Sequence, residues 1–104
     1  MKRHPLVAID TCDGYGNDEL DTVLESVLSE AQFPAIKGKR VLLKPNILSD
    51  AVPEKAITTR GEVMASLIRL CKRRGASEVL VGDSPGIHGP GFIPRTSGIG
   101  KVCA

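Results

Sequence analysis

TRGEVMASLIRLCKRRGASEVLVGD, residues 59–83, is the stretch on which the fold turns. It opens with Thr59-Arg60-Gly61-Glu62, the spacing of a capping box in which the Thr59 hydroxyl takes the Glu62 amide and Glu62 reaches back. Val63, Met64, Leu67, Ile68 and Cys71 then fall on one helical face. The pattern stops at Gly75, where a left-handed residue is expected to end the helix. Glu78-Val79-Leu80-Val81-Gly82-Asp83 follows after a two-residue spacer and reads as a strand.

Working backward, Arg40-Val41-Leu42-Leu43 is a second short apolar strand that ends at Lys44-Pro45. Before it, Leu20, Val23, Leu24, Val27, Leu28 and Ala31 form a continuous helical stripe. That helix begins at Asn17 or Asp18 and ends short of Pro34. Further back, Leu6 to Cys12 (LVAIDTC) reads as a first strand, followed by the turn cluster Asp13-Gly14-Tyr15-Gly16-Asn17 that leads into the helix.

The order strand, helix, strand, helix, strand predicts an α/β fold. Its form is a three-stranded parallel sheet (βαβαβ) with right-handed crossovers and two covering helices. Residues 1–83 make that core. Residues 84–104 form a Gly/Pro-rich segment with no period of its own, leading toward a remainder of a larger α/β protein. The connections entering the strands at 33–39 and 75–77 are short. Those leaving them, 45–60 and 84 onward, exceed the roughly 12–15 residues beyond which a structureless loop is usually functional or disordered. Both leave carboxyl ends of strands, the edge where open parallel sheets bind ligands.

The chain has 104 residues, 41% of them hydrophobic and 25% charged, which is globular rather than disordered. Its three aromatics, Tyr15, Phe33 and Phe92, give no stacking platform for bases. The net charge is +2, and the one dense basic cluster, Lys72-Arg73-Arg74, sits in a helix's last turn, where it complements the macrodipole. Nucleic acid is therefore not an expected partner. No apolar run approaches the roughly 20 residues that span a bilayer, and no signal peptide is evident, so no membrane partner is expected and the location reads as cytoplasmic. Cys12, Cys71 and Cys103 are odd in number and widely spaced, which excludes a closed disulfide framework and a zinc knuckle; each reads as a small apolar packing residue.

Several motifs fail on chemistry. Gly14-x-Gly16 lies where a dinucleotide fingerprint would, but Glu19 takes the third glycine position and Lys44 stands where an acid should bind ribose. Gly98-Ile99-Gly100-Lys101 is followed by Val102 instead of the Ser or Thr of a P-loop. His88 and Asp83 are two residues, not a metal site, so no metal ligand set is assigned. Asp10 and Asp13 have no partner at acid–base spacing.

The strand ends are more informative. Lys44 follows three apolar residues and can serve as a cation for a carboxylate or phosphate, or pair with Asp83. Asn46 adds a directional amide. Asp83 adds an acid, base or lysine orienter, and Ser84 a hydroxyl. Thr58 and Thr59 bring hydroxyls and amides to a helix N-terminus, with Arg60 alongside. Lys44 and Asp83 are the candidate catalytic pair. Asn46, Thr58, Thr59, Arg60, Ser84 and Gly86 are the candidate binding residues for a small anion.

Val41-Leu42-Leu43-Lys44-Pro45-Asn46, Pro53-Glu54-Lys55-Ala56-Ile57-Thr58-Thr59 and Gly82-Asp83-Ser84-Pro85-Gly86, in this order and spacing, resemble the domain-of-unknown-function family 362. The similarity runs from about Val7 to Gly100. The resemblance implies a longer, iron–sulphur-associated and redox-linked protein, with a ferredoxin-like segment of C-x-x-C-x-x-C clusters downstream as partner. A [4Fe-4S] cluster is thus implied for the longer relatives, and no cofactor for these 104 residues. Where the family pattern continues Thr-Thr with His and Pro, this chain has Arg60-Gly61, which leaves a role for that histidine unfilled and strengthens an anion site. The alternative expectation is a non-catalytic scaffold whose polar strand ends hold the loops to a second domain.

Overall fold

The computed structural model describes residues 4–46 and 59–82. Along the chain these form α1 (Asn17–Glu30), β1 (Arg40–Leu43), α2 (Gly61–Arg73) and β2 (Glu78–Val81). The two strands pair in parallel, Arg40 opposite Glu78 and Leu43 opposite Val81. The architecture is thus a mixed helix–strand module built on a small parallel sheet.

Strand alternation sorts the side chains. Val41, Leu43, Val79 and Val81 are half-buried, while their neighbours Leu42 and Leu80 lie 64% and 40% exposed on the opposite face. On the covered face Leu43 and Val81 meet Met64 and Leu67 of α2, with Met64 at the centre of the core. Leu70, Cys71 and Ser66 are also fully buried along α2. The expected apolar face of this helix is therefore right at Met64 and Cys71, and it omits Leu70 and the polar Ser66.

Both helices end in the same motif. At the end of α2 the Ala76 amide donates to the Cys71 carbonyl and the Gly75 amide to the Lys72 carbonyl, with Gly75 at φ +86° as expected. At the end of α1 the Phe33 amide donates to Leu28 and the Gln32 amide to Ser29, but the left-handed position is held by Gln32 at φ +59°. A side chain in that region is strained where glycine is not. The short connections at the amino edge of the strands are stitched to each other. The Gly38 amide donates to the Gly75 carbonyl, and the Ser77 amide to Lys39.

Three expectations need correcting. Among the described residues the sheet has two strands: Leu6 to Cys12 forms none, and Leu6, Val7 and Ile9 are 56%, 79% and 87% exposed. β-branched residues favour strands through cross-strand packing and burial, and a segment with no ladder partner gains neither. The stripe of α1 is correspondingly only partly covered, Leu20 alone being buried. The capping box does not form either. Arg60 is the N-cap of α2, and the Thr59 hydroxyl is used elsewhere. Finally, Cys12 is exposed and does not pack as a core residue, whereas the Cys71 thiol is buried and its pKa raised by that burial.

Candidate functional site

The carboxyl edge of the sheet begins where β1 gives way to Lys44, Pro45 and Asn46. Pro45 is buried, which turns the exposed Lys44 and Asn46 outward on either side of it. The Asn46 amide donates to the Thr59 hydroxyl at 2.9 Å, and the Thr59 amide donates to the Asn46 carbonyl at 2.9 Å. These reciprocal bonds clasp the two ends of the long 45–60 connection. Thr59 serves this clasp instead of capping α2, because its hydroxyl meets the Asn46 amide from thirteen residues away. Lys44 lies two residues before the clasp and Arg60 one residue after it.

Among the described residues, Tyr15 and Glu62 both hold Arg60. Its guanidinium lies 4.0 Å from the centroid of the Tyr15 ring. The Glu62 carboxylate takes its Nε at 3.3 Å and its Nη2 at 2.9 Å. Glu62 has its pKa lowered first by a hydrogen bond from its own backbone amide and then by Arg60, with partial burial opposing. Tyr15 comes from the turn before α1, so that turn and the clasped 45–60 connection meet near the start of α2. Sequence reasoning treated that Gly14-Tyr15-Gly16 turn as a simple tight turn and missed Tyr15. An aromatic between two glycines beside a helix start is the signal that could have drawn notice to it.

Of the expected site residues, the structure brings together Asn46, Thr59 and Arg60, with Lys44 close by in the chain and engaged in an interaction of its own. Thr58, Asp83, Ser84 and Gly86 lie outside the described residues, as does the expected Lys44–Asp83 pairing. The basic cluster is placed firmly. Arg73 and Arg74 reach across to Glu25 of α1 at 3.2 and 2.8 Å, so they act as interhelical partners beyond any dipole role.

A second feature is an open cleft of about 480 Å³ lined by Thr11, Cys12, Asp13, Asp18, Glu19, Thr22 and Val23. Its three carboxylates disfavour an anion. Among the described residues no three His, Cys, Asp or Glu side chains are arranged to hold a metal, and no helix is long and apolar enough to cross a membrane.

A strand–helix–strand unit with a clasped polar loop at its carboxyl edge defines a small parallel α/β module. The family model of the domain of unknown function DUF362 matches residues 41–104, and the chain belongs to that family. It is also 34% identical over 79 residues to the thylakoid-associated protein sll1697 of Synechocystis sp., a match covering 76% of this chain and 24% of that protein. The chain thus spans about a quarter of the length of that relative. No solved structure matches it.

Proposed function

We propose that this module binds a small oxyanion, a carboxylate or phosphate, at the carboxyl edge of its sheet. The observation that carries this reading is the Asn46–Thr59 clasp, which holds Lys44 and Arg60 on the two flanks of one loop closure. Arg60 at the start of α2, with Lys44 two residues before the clasp, offers positive charge and helix-opening amides complementary to an anion. Asp83, Ser84, Gly86 and Thr58 join the site in this proposal, with Asp83 orienting Lys44 or exchanging a proton. In the longer protein the module would serve a redox-linked, iron–sulphur-associated role. Any [4Fe-4S] cluster would be bound by a ferredoxin-like segment elsewhere in that protein. The cytoplasm is the proposed compartment, while the thylakoid association of the relative keeps a peripheral membrane location as its competitor.

The test is titration of inorganic phosphate and a small dicarboxylate into the chain, followed by amide NMR. Saturable shifts centred on Asn46, Thr59 and Arg60, lost in Lys44→Met with the spectrum otherwise intact, are the expected result. An absence of saturable shifts in the unmodified chain ends the proposal.

One observation favours the scaffold alternative: Asn46 and Thr59 satisfy each other, as groups that only fasten a loop would. On that reading Lys44→Met lowers the unfolding free energy, because its partner is left behind. On the binding reading stability is unchanged or rises. Urea unfolding of the same variant separates the two.

A further inference from the structure

The guanidinium of Arg60 is already gripping a carboxylate. Its Nε and Nη2 are the edge with which arginine recognises two oxygens of a carboxylate or phosphate, and here both hydrogen bonds converge on one oxygen of Glu62. The two side chains are 28% and 37% exposed, so the pair sits at the surface and Glu62 has water to move into. Tyr15 meanwhile covers one face of the guanidinium independently of Glu62.

We infer that Glu62 is a resident carboxylate that stands in the place of the ligand and must give way to it, and that Tyr15 is the positioning residue that keeps Arg60 in place during the exchange. This rests on the anion-binding reading above and adds its regulation: affinity is set by competition between an internal and an external oxyanion for one arginine. An exposed ion pair of this kind is worth about 0.2–1 kcal/mol. Removing the competitor should therefore tighten anion binding by about 1.4- to fivefold. Loss of the ring should weaken it by a similar factor.

Inorganic phosphate is the probe, titrated into the 104-residue chain, Glu62→Gln, Tyr15→Leu and Tyr15→Phe. Glu30→Gln is the control for one negative charge removed at the far end of α1. The readout is the Arg60 Nε–Hε resonance, joined in the Tyr15-containing chains by tyrosine fluorescence, since Tyr15 is the sole tyrosine and there is no tryptophan. The expected order of affinity is Glu62→Gln tightest, then the unmodified chain, Glu30→Gln and Tyr15→Phe together, and Tyr15→Leu weakest. Phosphate binding that Glu62→Gln does not tighten beyond Glu30→Gln overturns the competition while leaving the anion site standing. Equal affinity in Tyr15→Leu and Tyr15→Phe removes the role of the ring. If none of the chains binds phosphate, the anion site itself is wrong, and the competition falls with it.

Discussion

The two sides of α2 are held by different physics. Toward the sheet, Met64 packs with Leu67 against Leu43 and Val81, an apolar contact with Met64 only 2% exposed. Toward α1, the contact is charged. The Arg69 guanidinium donates to both oxygens of Asp21 at 2.7 and 3.0 Å, the Ser66 hydroxyl donates to the same carboxylate, and Arg73 stands 3.6 Å away. One turn along, Glu25 receives Arg73 and Arg74, and Arg74 also reaches the Ser29 hydroxyl at 3.1 Å. Asp21, Glu25 and Ser29 recur every four residues on α1, so a single helical edge carries the whole ladder. Apolar burial is non-directional and indifferent to salt, whereas the ladder fixes the rotation and register of α1 and weakens as ions screen it. The family match begins at residue 41, after α1, so the apolar contact belongs to the matched segment, and the ladder joins that segment to a helix outside it.

The contrast can be broken first at Met64. Met64→Ala should lower the unfolding free energy by about 2–3 kcal/mol, through lost transfer energy and the cavity left behind. Urea unfolding should show the loss to be the same at low and high salt. A loss under about 1 kcal/mol would mean that the sheet contact is not the core of this module.

Next in size is the end of α2. Gly75→Ala should cost about 1–2 kcal/mol, because φ +86° is strained for alanine and its Cβ would stand 3.1 Å from Lys37 Cγ. The end of α1 is the mirror case: Gln32→Gly at φ +59° should stabilise by about 0.5–1 kcal/mol. Thermal unfolding of the two variants should move in opposite directions. Movement in the same direction would refute the shared motif.

The smallest loss belongs to the ladder. Asp21→Asn should cost about 1 kcal/mol at low salt and clearly less at high salt, as expected of partly exposed ion pairs. Its pH dependence has a definite sign. Hydrogen bonds from Arg69 and then Ser66 hold Asp21 at about 2, below the ordinary 3.8 of an unfolded aspartate. A depressed acid stabilises the fold fully above its unfolded pKa, so this contribution is complete above about pH 4 and disappears as the pH falls toward 2. Asp21→Asn should flatten the acid limb of the stability curve over that window. An unchanged limb would assign the acid sensitivity to other carboxylates.

Much of the fold was legible in the amino-acid order. The limits of β1, the start of α1 and the left-handed turn at Gly75 follow from local chemistry: β-branched runs, turn residues and the conformational freedom of glycine. The edge proposed for the site was chosen from loop lengths and strand direction. Leu6 to Cys12 shows where such reasoning stops, since its strand-like composition finds no ladder partner in this structure. The capping box fails for a related reason. Thr59 had two available partners, and Asn46, distant in sequence, was the one brought within reach.

What the sequence by itself determined, then, was the two helices, the two strands that form and their parallel order, because propensity, periodicity and turn chemistry act over a few neighbouring residues. Only the tertiary structure decided that Arg73 and Arg74 face Glu25, that Tyr15 lies against Arg60, and that Ser66 is buried beneath Asp21. Each of these joins residues far apart in the chain. Directional contacts of that kind are set by how helices are rotated against one another, which no local pattern records.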